Sequence, residues 1–261
     1  MTDASAESGA EAALPPVRIV GSYLSPYVRK VLVCLHVKGI AYQIDPIVPF
    51  LGDDRFSRLS PLRRIPVLTD DTVTLCDSSV ICQYLEDRHP EPALYPRDLA
   101  ARARARWLEE FADTRMGEVF IWRLFNQLAI RPFVWGEQTD RAVVENATQE
   151  EIPQVLGYLD AELPAEGFAC GDFSIADVAL ACFFRNAAFA RYQVDAARWP
   201  VSAAWLARTL AHEAFARLAP FEELCLRTPL SEHRKALAEH GAPLTAESFG
   251  TASPRRGVMS I

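Results

Sequence analysis

The fold is decided early in the chain, by residues 17–39, which read VRIVGSYLSPYVRKVLVCLHVKG. The β-branched and apolar start of this segment predicts a strand over Val17–Tyr23. Pro26 is typical of the first turn of a helix, and apolar residues then recur at helical spacing, at Val28, Val31, Leu32 and Leu35. Because Gly39 favours a left-handed cap, we expect the helix to end there.

Ser25 lies where the predicted strand-to-helix turn becomes a helix, which is the N-cap position. A hydroxyl at this position, together with the free N–H groups of the first turn, forms a site for an anion. Serine is also a common cap with no other role, so this segment alone leaves both interpretations open. Ser22 and Tyr23 are alternative hydroxyls, but they precede the turn and do not cap the helix.

Two further segments favour a binding site. Asp77 and Ser78 precede a second helix with apolar residues at Val80, Ile81, Tyr84 and Leu85, which predicts another helix N-terminus for an anion, now beside a carboxylate. The segment Arg63–Val67 places basic side chains and Pro66 at the start of a strand. An internal proline removes a ladder donor, so we expect a turn or a cis peptide bond against a ligand there.

The order of elements predicts an α/β domain followed by an all-α domain. A second strand near 42–48, interrupted by Pro46, is expected at the sheet edge, and a hairpin at Asp70-Asp71 joins strands 67–68 and 73–76. With the helix over 78–88, this βαβ then ββα order is the thioredoxin-like arrangement, a mixed four-stranded sheet. We therefore divide the chain into a mobile leader (1–16), a thioredoxin-like domain (17–90), a linker (91–98), an α-helical bundle domain (99–227) and a C-terminal tail (228–261).

The helical domain has its clearest signal at Gly171–Asp177, where Ser174 and Asp177 have the spacing of a capping box. The following residues, 178–184, are apolar on nearly all sides, so this helix is expected at the centre of the bundle. Long helices are predicted over 99–129, with a break at 132–138, and onward to about 163, with a kink or new start at Pro153. Shorter helices are expected near 201–210 and 212–227. The tail either covers a pocket or extends freely.

Composition excludes several functions. The net charge of −7 argues against a general nucleic-acid binder, and no apolar run approaches the ~20 residues of a membrane span. Residues 1–16 lack the pattern of a signal peptide, and the six cysteines are scattered without CxxC. We expect reduced thiols and a cytoplasmic protein. The five histidines lack metal-ligand spacing, so no metal is expected.

The three segments together resemble a known family. Ser-Pro-Tyr-x-Arg-Lys at 25–30, Ile-Pro-Val-Leu at 65–68 and Asp-Ser-Ser-x-Ile-x-x-Tyr-Leu at 77–85 are similar, in this order and spacing, to the cytosolic glutathione S-transferases. The serine-type classes, tau and zeta, are the most similar. The resemblance covers residues 17–227 and implies glutathione as co-substrate, a small hydrophobic electrophile as its partner, and a homodimer.

The resemblance also implies roles for individual residues. Ser25 would donate its hydroxyl hydrogen to the sulfur of glutathione, and the backbone of Ile65 would pair with the cysteinyl amide. Ser78 would bind the γ-glutamyl carboxylate and Asp77 the ammonium group. Arg64 would bind the glycyl carboxylate, with Arg63 as the alternative. Four residues are candidates for the electrophile pocket or, alternatively, for helix packing: Tyr27, Trp107, Phe111 and Arg115.

Two functions remain open from the sequence. The first is an enzyme that activates glutathione for conjugation, isomerisation or peroxide reduction. The second is a non-enzymatic protein of the same fold that binds a ligand or partner. The presence of Ser25, Ile65-Pro66 and Asp77-Ser78 together favours the enzyme. Serine at position 25 cannot form a disulfide, which disfavours thiol transfer at that position.

Overall fold

A computed structural model gives the fold of residues 17–257. It contains a mixed four-stranded sheet followed by a set of helices, which confirms the predicted fold class. The leader predicted at residues 1–16 lies outside the described residues. Within the described part of the chain, no helix is both long and apolar enough to cross a membrane.

The first part of the described chain is built around the sheet. Its elements are β1 (Val17–Val20), α1 (Pro26–Val37), β2 (Tyr42–Asp45), α2 (Asp54–Leu59), β3 (Val67–Thr69), β4 (Thr74–Cys76) and α3 (Ser78–Arg88). The strand order is β2-β1-β3-β4, with β1 parallel to β2 and antiparallel to β3. The β2 strand therefore lies at the edge, as Pro46 predicts.

The β1 strand is shorter than the predicted 17–23, because the chain turns at Gly21. Gly21 has a φ of 155°, and its N–H donates to the carbonyl of Asp45 over 2.9 Å. A Cβ atom at this position would lie 2.4 Å from a methyl group of Val28. Glycine is therefore required here for the turn to pass close to α1.

The remaining elements are helical. They are α4 (Leu99–Phe111, continuing as Ala112–Trp135), α5 (Arg141–Asn146, Ala147–Glu151 and Ile152–Glu162), α6 (Ile175–Phe189), α7 (Pro200–Leu210), α8 (Glu213–Ala216), α9 (Ala219–Arg227) and α10 (His233–Glu239). The last segment of α5 begins one residue before Pro153, where a new start is predicted.

The predicted end of α4 was wrong. The helix does not stop at Ala129; it continues to Trp135 with Pro132 inside it, and Gly136 ends it at a φ of 65°. Pro132 has no N–H to donate in the last turn, and the carbonyl of Gln127, five residues earlier, instead accepts the hydroxyl of Thr139 over 2.8 Å.

The centre of the bundle is α6, as predicted. Its capping box joins Ser174 and Asp177. Asp177 is fully buried, and its carboxylate also accepts the backbone N–H of Ala169 and the indole N–H of Trp205, both at 2.8 Å. Burial raises the pKa of Asp177, against the effect of these hydrogen bonds. One carboxylate thus joins the start of α6 to α7.

The described part of the C-terminal tail runs back along the sheet domain, and we call residues 243–256 the C-terminal strap. Leu244 forms a parallel bridge with Ile44 of β2, and Gly250 forms an antiparallel bridge with Gly52. Phe249 packs against a small apolar cluster that includes Phe56. The strap therefore covers the edge of the sheet, where unpaired backbone groups would otherwise be exposed.

Candidate active site

Ser25 is the N-cap of α1, as the sequence predicts. Its backbone is extended (φ −82°, ψ 128°), and its hydroxyl accepts the N–H of Val28 at 3.4 Å. This distance is longer than most N–H···O bonds, so the cap contact is weak. Because the hydroxyl oxygen is the acceptor in that contact, its hydrogen stays available for a group placed at the helix N-terminus.

The two alternative hydroxyls point elsewhere. Ser22 is only 2% exposed, and its hydroxyl accepts the N–H of Leu24 at 3.2 Å. Tyr23 is also buried, with its ring 5.1 Å from that of Phe221 in α9. Burial raises the pKa of Tyr23, so its phenol stays protonated. Ser25 is the only one of the three hydroxyl residues that is partly exposed.

Asp77 is the N-cap of α3, and Ser78 is the first residue of the helix. The carboxylate of Asp77 accepts the N–H groups of Ser79, at 2.9 Å, and of Val80, at 3.2 Å. Its φ of 77° is unusual for a non-glycine residue. Asp77 is exposed while Ser78 is buried. The carboxylate predicted beside the N-terminus of α3 is therefore present, but it already accepts two of the free N–H groups of that N-terminus.

The two neighbouring arginines before the cis Ile65–Pro66 bond differ in their surroundings. Arg63 donates to the hydroxyl of Ser57 and to the carbonyls of Pro49 and Gly52. Its guanidinium is therefore bound to α2 and to the loop before it, and this makes Arg63 a poor alternative ligand for a carboxylate. Arg64 is exposed.

Tyr27 connects the first turn of α1 to the helical domain. Its hydroxyl donates to the carbonyl of Asp113 over 3.1 Å, and its ring lies edge-on to Phe183 at 5.3 Å between centroids. Burial raises the pKa of Tyr27 the most and Asp113 raises it further, whereas Lys30 lowers it. Tyr27 therefore joins the start of α1 to α4 and α6.

The other three pocket candidates make helix-packing contacts. The indole N–H of Trp107 donates to the hydroxyl of Tyr158 over 2.7 Å, and the Phe111 ring lies 4.8 Å from the Tyr158 ring. Arg115 pairs with Glu118 and Glu151. These contacts join α4 to α5. The contacts of Trp107, Phe111 and Arg115 are therefore the helix-packing contacts that the sequence gives as their alternative role.

Sequence reasoning assigned no role to Lys30, which is 1% exposed. Its ammonium donates to Asp113, to Glu109 at 3.1 Å and to the hydroxyl of Ser79 at 2.9 Å. Burial lowers the pKa of Lys30, but Asp113 and Glu109 outweigh that effect and raise it. Lys30 thus joins α1, α3 and α4. The signal was a pair of charged residues, Arg29 and Lys30, within the otherwise apolar segment 28–35.

Residues 17–257 contain no group of three or more histidine, cysteine, aspartate or glutamate side chains arranged to hold a metal ion. The groups that the structure places at the starts of α1 and α3 are hydroxyls, backbone N–H groups and a carboxylate. Hydroxyls and N–H groups bind anions and orient them, and a hydroxyl donor at a helix N-terminus stabilises a developing negative charge.

Comparison with protein families gives two matches. Residues 19–93 match the glutathione S-transferase N-terminal domain, and residues 138–208 match the glutathione S-transferase C-terminal domain. These ranges include Ser25, the cis Ile65–Pro66 bond, Asp77 and the capping box of α6.

Similar curated proteins carry related names. Glutathione S-transferase 3 of Zea mays is 30% identical over 229 residues, covering 83% of this chain and 96% of the maize protein. An uncharacterized glutathione S-transferase-like protein of Escherichia coli (strain K12), YibF, is 29% identical over 211 residues, 78% of this chain and 98% of that protein. A probable maleylacetoacetate isomerase 1 of Drosophila melanogaster is 28% identical over 180 residues, 66% of this chain and 68% of the fly protein.

Solved structures agree with the fold. A glutathione S-transferase from Rhodospirillum rubrum F11 superposes with a TM-score of 0.70 at 25% identity, over 77% of this chain and 91% of that one. A glutathione S-transferase-I bound to lactoylglutathione has a TM-score of 0.69 at 22% identity, over 79% and 99% of the two chains.

Proposed function

The chain belongs to the glutathione S-transferase family of enzymes, and from this membership we propose that it activates the thiol of glutathione as a thiolate, which then attacks a hydrophobic electrophile. The observation that carries the proposal is the position of Ser25. Its hydroxyl caps α1 through a long contact of 3.4 Å, so its hydrogen is available at the positive end of a helix.

The proposed binding mode uses residues on three elements. Ser78 and the first turn of α3 bind the γ-glutamyl carboxylate, and Asp77 pairs with the ammonium group. Arg64, which is exposed, pairs with the glycyl carboxylate. The backbone of Ile65, before β3, pairs with the cysteinyl amide in the manner of an added strand.

The energies required are modest. A free thiol has a pKa of about 8.5 and is only a few per cent ionised at neutral pH. Lowering this pKa by about two units requires roughly 2.7 kcal/mol of preference for the thiolate. A hydrogen bond to a charged group contributes about 1.5–3 kcal/mol, and a helix N-terminus about 0.3–2 kcal/mol. Ser25 and α1 therefore suffice without a general base.

The electrophile site, the homodimer and the cytoplasmic location form part of the same proposal. Tyr27 is the candidate that we retain for the electrophile pocket, because it lies in the first turn of α1, two residues after Ser25, and contacts α4. A glutathione-dependent isomerisation is the second candidate function, and the similarity to a probable maleylacetoacetate isomerase 1 favours it. Both reactions begin with the same thiolate, so both depend on Ser25.

The experiment separates the chemical role of Ser25 from its role as a cap. Aspartate caps helices about as well as serine, but its carboxylate repels a thiolate. We expect Ser25→Asp to keep its free energy of unfolding within about 1 kcal/mol and to lose turnover, with the thiolate absorbance of the glutathione complex absent at neutral pH. Ser25→Ala is the companion variant: it loses both the cap and the hydroxyl.

Two results would contradict the proposal. If Ser25→Asp kept full turnover with glutathione and a general aromatic electrophile, Ser25 would be a cap and nothing more. If the wild-type chain bound glutathione but turned over neither an aromatic electrophile nor a cis-enone isomerisation substrate, the non-enzymatic binding protein would be the better description.

A further inference from the structure

Asn186 lies near the end of α6, fully buried, and it contacts the turn that carries Ser25. Its amide Nδ2 donates to the carbonyl of Leu24 over 2.8 Å. Its Oδ1 accepts from Nη1 of Arg29 at 2.6 Å. A buried amide that uses both its donor and its acceptor is a specific contact, because an unpaired polar group at this depth is costly.

Arg29 reaches the same turn from α1. Its Nη2 donates to the carbonyl of Tyr23 over 3.2 Å, and its Nη1 also donates to the carbonyl of Cys182 over 2.9 Å. Its Nε pairs with Glu222 of α9. The guanidinium therefore connects the turn to both α6 and α9.

These contacts fix two consecutive peptide groups. The peptide group between Tyr23 and Leu24 is bound at its carbonyl by Arg29 and at its N–H by the hydroxyl of Ser22. The next peptide group is bound at the Leu24 carbonyl by Asn186, and its N–H, which belongs to Ser25, donates to the carbonyl of Ser22 over 3.0 Å. Because a peptide group is planar and rigid, bonds at both of its ends set its orientation.

We infer that Asn186 is a positioning residue for Ser25: by holding the Leu24 carbonyl and the guanidinium of Arg29, it sets the peptide plane from which the Ser25 side chain projects. This inference rests on the proposed function of Ser25. Asn186 comes from a helix 161 residues beyond Ser25 in the sequence, so the helical domain determines where the activating hydroxyl points in the sheet domain.

The consequence is chemical as well as structural. A hydrogen bond to a thiolate depends steeply on distance and angle, so a rotated peptide plane weakens the bond from Ser25 to sulfur. The pKa of the bound thiol then rises towards that of free glutathione. Other residues bind the two charged ends of the tripeptide. We therefore expect the affinity for glutathione to change little, although the pKa of its thiol rises.

The test is the pH profile of Asn186→Leu, because leucine matches asparagine in the number and branching of its side-chain heavy atoms and removes both hydrogen bonds. We expect the pKa seen in kcat/KM, and in the thiolate absorbance of the glutathione complex, to rise by about one pH unit. Turnover at pH 6.5 then falls about fivefold and recovers at pH 9. The KM for glutathione at high pH is expected to change less than threefold.

A second variant and a matched control keep the test decisive. Arg29→Lys keeps a cation beside Glu222 but removes the paired donors to Tyr23 and Asn186, so it is expected to raise the pKa of the bound thiol as well. It replaces Asn186→Leu in the test if that variant does not fold. Trp205→Phe is the control, since it removes a buried hydrogen bond to Asp177 at the other end of α6. It is expected to lower stability without moving the pH profile.

The failures of the two proposals are distinguishable. If Asn186→Leu or Arg29→Lys is folded and its pH profile matches the wild type, Asn186 has no positioning role, whatever Ser25 does. If Trp205→Phe shifts the profile as much as Asn186→Leu, the shift reflects lost stability and the inference is wrong. If Ser25→Asp retains turnover, the proposed function itself fails.

Discussion

The carboxylate of Asp45 accepts the backbone N–H of Phe249 at 2.7 Å, across 204 residues of sequence. The same carboxylate accepts the hydroxyl of Ser248 at 2.7 Å and pairs with Arg234 at 3.1 Å. Its backbone carbonyl accepts the N–H of Gly21, where the turn leading to Ser25 begins. One buried residue at the end of β2 therefore joins the C-terminal strap to the sheet and to the start of the active-site turn.

We predict that Asp45→Ala destabilises the protein by about 2–4 kcal/mol, because three donors lose their acceptor in a buried site. Denaturant unfolding measures the loss, and hydrogen exchange is expected to show faster exchange of the strap amides. Asp87→Ala, at an exposed position on α3, is the control and is expected to change stability by less than about 0.5 kcal/mol. Equal effects of the two substitutions would mean that the strap adds no stability through Asp45.

Lys30→Met is predicted to cost about 3–5 kcal/mol, since it leaves the carboxylates of Glu109 and Asp113 without their cation in a buried site. Thermal or denaturant unfolding gives the magnitude. The double variant Lys30→Met/Glu109→Gln also neutralises one of these carboxylates. We expect it to be more stable than Lys30→Met alone, and an additive loss in the double variant would show that the two residues are not coupled.

Stability is predicted to fall as the pH drops below about 6.5. Burial lowers the pKa values of His36, His212 and His233. Each of these histidines therefore has a lower pKa in the folded state than in the unfolded state. Between those two pKa values the folded state binds fewer protons than the unfolded state, so stability rises with pH there. His233→Gln should reduce the slope of unfolding free energy against pH by up to about 1.4 kcal/mol per unit. An unchanged slope would show that His233 does not contribute to the pH dependence of stability.

Asp77→Asn separates capping from charge at the proposed ammonium site. Asparagine caps helices as well as aspartate and tolerates a positive φ, so the free energy of unfolding is expected to stay nearly constant. The KM for glutathione is expected to rise about tenfold or more, because a charge-assisted hydrogen bond is lost. Asp98→Asn is the matched control, an aspartate that caps α4 through the N–H of Ala101. A similar rise in KM for both variants would contradict the assignment of Asp77.

Some of the fold and the site could be predicted from short sequence patterns. The bounds of α3, the N-cap at Ser25 and the capping box at Asp177 are as predicted, because each depends on residues within one helical turn. The direction of Arg63 could not be predicted, since its acceptors are carbonyls of Pro49 and Gly52 in a preceding loop. Trp107 and Phe111 are likewise residue types that are common in apolar pockets, and only the structure shows that both contact Tyr158.

The sequence by itself determined the local chemistry of this protein: which residues begin and end helices, which turns need glycine or proline, and which hydroxyl caps α1. Caps and turns are decided by bonds between neighbours, so a few adjacent residues suffice. Only the tertiary structure decided the partners of Lys30, Arg29 and Asp45. Their buried charges must find opposite charges or donors wherever packing brings them, and those partners lie 79, 193 and 204 residues away in Glu109, Glu222 and Phe249.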